Sequence, residues 1–358
     1  MPEVIANAEE VTPLWLTERL RANGHLRRGG VSGVRVKSSR TLPVSVISRL
    51  EVEYEPGAGP EAPRSLFLKV SNPDFVNEPR ESPPEEIVFY SSVAPEMPDP
   101  PVPRFYDAGF SRETGRSHLL LEDLSETHRH APDPLAPPRA SCEAAVDCLA
   151  GVHAHWWEHA RLGAGVGRLL DDAGVRGLAE ATAARYETFA GSLGGRLPRA
   201  WRETFERVIA TFPRPWARLT SARGLTLTHG DAHTLNFLFP RGRGVGRTYL
   251  VDWQLWHVHI GPRDLAYMMT LFWAPERRAR MEEPLLRRYH RGLLAGGVEG
   301  YGWDDCLKDY RWSAVRNVFI PLLHWSRGWG EDFWRPQLEK AMHAYDDLRC
   351  VELVEGAA

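Results

Sequence analysis

The segment LTHGDAHTLNFLF, residues 227–239, sets His229, Asp231, His233 and Asn236 close together among apolar residues. Imidazoles and a carboxylate at this spacing could ligate a metal, orient a hydroxyl for attack, or fill an ordinary turn between strands. A second carboxylate, Asp252, sits near the end of the apolar run TYLVDW, residues 248–253, and the Gly-rich stretch PRGRGVGR separates the two runs. That pattern reads as a β-hairpin with a longer loop. In an antiparallel pair the start of the first strand lies beside the end of the second, so Asn236 is expected next to Asp252. An amide oxygen and a carboxylate side by side are hard ligands, suited to Mg2+ shared with substrate phosphates. Asp231, in the loop entering the hairpin, is placed to orient a hydroxyl near that metal. The set follows the active-site logic of phosphoryl transfer.

These residues need elements to hold them. Thr12 and Pro13 predict a helix start, and LWLTERLRANG stops at Gly24. From Val31 the pattern alternates: GVRVK and VSVISRLEVEY read as two strands joined around SSRTLP, and SLFLKV as a third. SPPEEIVFYSSVA leads into a short helix, and PRFYDAGF with SHLLLEDL form a further hairpin joined near SRETGR. After Asp123 the text is helical to about Ser221, strand-like from Leu225 to Trp253, and helical again to the end. The expected fold class is α+β. A small antiparallel β-sheet unit is expected over residues 1–121 and a larger, mostly helical unit over 122–358.

HGDAHTLN followed by VDWQ resembles the catalytic and metal motifs of the aminoglycoside phosphotransferase and choline kinase group, which has a two-lobed protein-kinase-like fold. GPRDLAYM (261–268) is similar to that group's segment after the metal Asp. LFLKV, EEIVFY and LLLEDLS occur in the matching order, so the resemblance covers roughly residues 12 to 270. It implies Asp231 as catalytic base, His229 as a brace of the loop, Asn236 and Asp252 as Mg2+ ligands, and Asp264 as structural. It also implies that Lys69 reaches the α- and β-phosphates of ATP or GTP while Glu86, rather than its neighbour Glu85, holds it. A lone lysine on a strand is ordinarily a snorkelling residue. On an otherwise apolar strand it calls for an opposite charge, which Glu86 supplies. The backbone of Glu122, Asp123 and Leu124 would meet the adenine. Where protein kinases have GxGxxG, this chain has KSSRTLP, and Ser38 and Ser39 would offer hydroxyls and N–H groups to phosphate.

The implied reaction moves the γ-phosphate of a nucleoside triphosphate to a hydroxylated small molecule. An antibiotic of aminoglycoside or nucleoside type is the leading acceptor, and choline or another amino alcohol is the alternative. His233 and Trp256 are candidate acceptor contacts. Thirteen tryptophans are many for this length; most are read as helix packing, although an aromatic pocket would suit a cation or a sugar. A metal-dependent hydrolase is the rival, drawn from HAH (153–155), HGDAH and HVH (257–259). Against it, His153 and His155 would face apart on a helix. A nucleotide-binding module without catalysis would not need both Asp231 and Asp252. The net charge of −3 gives no basic field for nucleic acid or anionic membrane. The chain lacks a signal-like start or a membrane-length apolar run, and its four cysteines lack CxxC spacing, which predicts a cytoplasmic location. A monomer or homodimer is expected, with no residue pattern choosing between them.

Overall fold

Thr12 Oγ1 accepts from Trp15 N at 3.2 Å and Pro13 takes the position where no N–H is required, so α1 (Pro13–Ala22) starts where the sequence predicts. This computed structural model describes residues 4–76, 78–131, 137–242 and 246–356. One face of α1, with Trp15, Leu16 and Leu20, is buried against the first sheet. That sheet contains β1 (Val31–Thr41), β2 (Ser45–Tyr54), β3 (Ser65–Ser71), β4 (Phe105–Phe110) and β5 (Ser117–Glu122), in the order β1-β2-β3-β5-β4. Every neighbouring pair is antiparallel. Leu66, Leu68 and Val70 of the central strand β3 point into the core with Leu50 and Val52, which leaves Lys69 on the opposite face. Between β3 and β4 lies α2 (Glu85–Val88), continued by one π-helical and one tighter turn to Glu96.

Two boundaries differ from the sequence reading. β1 does not stop at Lys37: it runs through Ser38 and Ser39 to Thr41, with a bulge between Val36 and Ser38, and the turn falls at residues 42–44. Pairing with β2 keeps this polar stretch extended although its side chains are exposed. The chain also divides at 129/130 rather than at 121/122, and residues 239–254 return to the first unit. Backbone bonds explain the second of these. Asp123 N donates to Ser65 O at 3.3 Å, Arg241 N to Thr127 O at 2.9 Å and Leu250 N to Pro101 O at 2.8 Å.

β6 (His128–His130) lies where the first unit gives way to the second. The second unit is mostly helical: α3 (Arg139–His155), α4 (Asp172–Leu193), α5 (Arg199–Ile209) and α6 (Arg214–Ala217) precede β7 (Thr226–Thr228). β8 (Phe237–Pro240) and β9 (Tyr249–Leu250) are neighbours in a three-stranded sheet ordered β6-β8-β9, so the expected hairpin strands are present. β10 (His257–His259) pairs antiparallel with β7. Then come α7 (Pro262–Phe272), α8 (Pro275–Ala295), α9 (Trp303–Asn317), α10 (Ile320–Ser326), α11 (Glu331–Asp347) and α12 (Cys350–Glu355). Their shared core includes Phe189, Phe205, Leu271, Val315 and Leu338, and Trp334 is buried in it as the packing reading of the tryptophans requires. Among the described residues no helix is long and apolar enough to cross a membrane. The α+β class is as expected, with an antiparallel sheet in the first unit and helices dominating the second.

Candidate active site

In the first unit the ammonium of Lys69 joins two carboxylates. Its Nζ donates to Glu86 Oε2 at 2.7 Å and to Asp252 Oδ1 at 2.9 Å. Glu85 turns away to Arg80 at 3.1 Å, so Glu86 is the partner. Glu86 lies in the first turn of α2, where the helix dipole favours negative charge. Burial by itself would lower the lysine, but Glu86 and Asp252 outweigh it and hold the ammonium above its ordinary range. Glu86 is raised in turn, chiefly by burial and further by Asp252, against the pull of Lys69. Asp252 itself has φ +67°, a left-handed conformation that Asp tolerates better than most side chains. Next to it, Trp253 stacks on Phe89 with centroids 3.9 Å apart and an interplanar angle of 7°, and its Nε1 donates to Leu250 O at 2.9 Å. That packing ties Asp252 to the helix carrying Glu86.

In the second unit the loop after β7 is held by a carboxylate from elsewhere in the chain. Asp264, fully buried in the first turn of α7, accepts from His229 N at 2.6 Å and Gly230 N at 3.0 Å, with His153 Nε2 at 3.3 Å. Burial pushes Asp264 up, but His153, Arg263 and His229 together hold it well below the usual carboxylate range. The next turn positions Asp231. Its N–H donates to His229 Nδ1 at 3.2 Å, and Asn236 Nδ2 donates to its carbonyl at 2.9 Å and to its Oδ2 at 3.3 Å. His233 Nε2 lies 3.5 Å from Oδ2, and the Tyr267 hydroxyl donates to the same carboxylate. Burial raises Asp231, but these groups and His229 outweigh it and keep it below its ordinary value. Asp231 is therefore a carboxylate at neutral pH.

The loop depends on glycine at 230. Its φ is +85°, and a Cβ there would lie 2.2 Å from Leu255 O. Gly230→Ala is expected to destabilise the protein by about 2–3 kcal/mol and to depress turnover. Gly177→Ala, on an exposed face of α4 with open space around it, should instead stabilise by about 0.5–1 kcal/mol. Parallel thermal melts check the contrast, and equal melting temperatures would remove the strain argument.

The donor sets suit a hard cation. Asp252 Oδ2 has only Gln254 Nε2 at 3.5 Å, and Asn236, with its nitrogen turned to Asp231, leaves Oδ1 without a donor among the described residues. Among the described residues no group of three or more His, Cys, Asp or Glu is arranged to hold a metal. His153 joins Tyr289 and Asp264, while His257 and His259 lie on β10.

Other expected site residues fall as follows. Glu122 N donates to Arg104 O at 2.9 Å, and Asp123 Oδ1 accepts from Ser125 N at 2.9 Å. Leu124 O accepts from His128 N at 2.8 Å and Thr127 N at 3.1 Å, while the Leu124 N–H has no partner among the described residues. Ser38 pairs with Arg49 in the ladder, and Ser39 Oγ lies 3.0 Å from Ser48 Oγ, so both are strand positions rather than a phosphate loop. Trp256 is only 8% exposed and packs beside Gly167, which makes its indole core rather than acceptor surface. Two residues went unread in the sequence. Tyr267 and Arg263 flank Asp264 in α7 and bear on Asp231 and Gly230, and their spacing of one helical turn was the available signal. His153 was read only as a ligand of the rival hydrolase, with no signal of its place beside Asp264.

Residues 58–303 match the phosphotransferase enzyme family, APH. The chain belongs to this family. It is a phosphotransferase acting on a hydroxyl acceptor. Two of the solved structures it resembles agree in fold. A microcompartment-associated aminopropanol kinase is 11% identical with a TM-score of 0.56, covering 96% of this chain and 99% of that one. An amicoumacin kinase in complex with AMP-PNP, Ca2+ and Ami is 12% identical with a TM-score of 0.54, covering 92% of each. A choline/ethanolamine kinase family protein from Mesorhizobium loti is 14% identical over 95% of each chain, with a TM-score of 0.47. No curated protein matches the chain by sequence.

Proposed function

We propose that this phosphotransferase moves the γ-phosphoryl group of ATP, with GTP as the alternative donor, to a hydroxyl of a small molecule, using Mg2+. The observation that carries the reading is the Lys69 ammonium held between Glu86 and Asp252. Lys69 binds the α- and β-phosphates and Glu86 fixes its direction. The Leu124 N–H, without a partner among the described residues, is a donor available to adenine. Asp252 and Asn236 each present a hard oxygen to Mg2+, which when bound supplies positive charge against the phosphate oxygens. The acceptor oxygen forms its bond to the γ-phosphorus as the bond from that phosphorus to the β,γ-bridging oxygen breaks. ADP leaves and the hydroxyl proton passes to Asp231. His233 and Tyr267 orient the Asp231 carboxylate, so positioning and charge do most of the work. The amicoumacin kinase, bound to AMP-PNP and Ca2+, supports a nucleotide with a divalent cation on this fold.

Thermal melting with ATP or GTP, each with and without Mg2+, tests the reading. At a hundredfold excess over Kd the nucleotide should stabilise the protein by about 2.7 kcal/mol, and only with Mg2+. Asp252→Ala should lose that Mg2+-dependent rise. No rise with either nucleotide at millimolar concentration would reject the proposal.

A further inference from the structure

His257 and His259 project from the same face of β10, with ring centroids 5.6 Å apart. Two guanidinium groups attend that face. Arg316, in the last turn of α9, has Nη1 against His259 Nε2 and lies 5.8 Å from the Trp216 ring centroid. Arg263 sends Nη1 toward Gly230 O at 3.4 Å and has Asp264 at 3.8 Å. Asp264 is already engaged by His229, Gly230 and His153. No salt bridge reaches Arg316 among the described residues, and the neighbouring charge acting on it is the like charge of Arg263. Burial and that charge pull the Arg316 guanidinium down to about 9. Burial, with Arg263 and Arg316 adding to it, takes His257 to about 3, and His259 is likewise far below its ordinary value. Both imidazoles are neutral.

Ile260 N donates to His259 Nδ1 at 2.8 Å. With Nδ1 accepting, the one proton of the neutral ring belongs on Nε2. His259 Nε2 and the Arg316 guanidinium then both offer donors on this face, and an oxygen anion accepting from them would supply the counter-charge Arg316 lacks.

We propose that this face of the second unit is an anion subsite for the acceptor, in which a carboxylate or phosphate group of the substrate accepts hydrogen bonds from Arg316 and His259 Nε2. Arg263 adds positive charge and, through Gly230, places the subsite one residue from Asp231. This inference rests on Asp231 orienting the acceptor hydroxyl. The planar guanidinium fork matches carboxylate and phosphate geometry, whereas a cationic amino alcohol would be repelled here. The favoured acceptor is an alcohol that also carries an anionic group.

The test uses the full chain, melted in sodium malonate or inorganic phosphate against sodium chloride at matched ionic strength. A rise is expected with at least one anion: malonate marks a carboxylate subsite, phosphate alone a phosphate subsite. The rise should vanish in Arg316→Gln and persist in Lys69→Ala. The opposite pattern would place the anion with the nucleotide phosphates and overturn the proposal, as would no rise with either anion. Should Arg316→Gln fail to fold, ADP release by the parent protein decides between hydroxy acids or sugar phosphates and amino alcohols. Anionic alcohols should lead by about tenfold or more in kcat/KM, and Arg316→Lys should raise their KM. A preference for amino alcohols would overturn the subsite. The Mg2+-dependent nucleotide shift involves none of these residues, so it tests the underlying phosphotransfer reading separately.

Discussion

Asp231→Asn is expected to lower kcat by about 10²–10⁴-fold, the range in which a positioned general base contributes. Asparagine keeps the shape of the side chain but cannot take the hydroxyl proton, and it sets an NH2 group among donors from Asn236, His233 and Tyr267. Nucleotide binding should survive, because Lys69, Glu86 and Asp252 belong to the first unit and the backbone carbonyl of residue 231, which the variant keeps, still accepts from Asn236 Nδ2 at 2.9 Å. The Mg2+·ATP melting shift should therefore match that of the parent while turnover collapses. A kcat within threefold of the parent would remove Asp231 from the reaction. The pH profile carries a second check. The folded Asp231 sits below its ordinary value, so the active carboxylate form is present throughout neutral pH and is lost only as pH falls through that lowered value. An acid limb assigned to Asp231 must lie below about pH 4, and a limb near pH 6 has to come from another group.

Asp231, Asn236 and Asp252 drew notice through their spacing around an expected hairpin, whereas Lys69 and Glu86 were named through the family resemblance, and the structure joins Lys69 to Glu86 and Asp252. Local patterning also gave the sheet strands: alternation along SLFLKV fixes which side chains share the core face, whereas His118 to Leu121 form a continuous buried run. Contacts between distant segments were less readable. His153 and Asp264 are 111 residues apart, and nothing in the HAH pattern says that one imidazole is buried against a carboxylate. The first unit's recovery of residues 239–254 depends on bonds such as Leu250 N to Pro101 O, invisible to any local window. β10 is only three residues long, too short for period-two alternation to stand out from the helical text that follows. β1 was cut short because SSR looked like a turn. Ladder pairing with β2 overrode that local preference.

Asp264→Asn is expected to lower stability by about 3–5 kcal/mol, because it removes one partner of a buried charge network. The Asp264 carboxylate takes donors from two backbone N–H groups and from His153, and it faces Arg263. An asparagine offers one acceptor oxygen and turns an NH2 against donors on its other side, so at least one buried N–H loses its partner and Arg263 loses a counter-charge. The pH dependence follows from the direction of the shift. The folded Asp264 carboxyl is held below its unfolded value, so its stabilisation is fully present above the unfolded value near pH 4 and is lost as pH falls through the folded one. The gap between parent and variant should thus be constant from pH 8 to about 5 and narrow in acid. Urea titrations across that range measure it directly. Turnover should fall in the same variant even below its melting temperature, since His229 N and Gly230 N set the path of the chain into Asp231. Stability equal to the parent at pH 7, or a gap that widens in acid, would show that this carboxylate does not hold the loop.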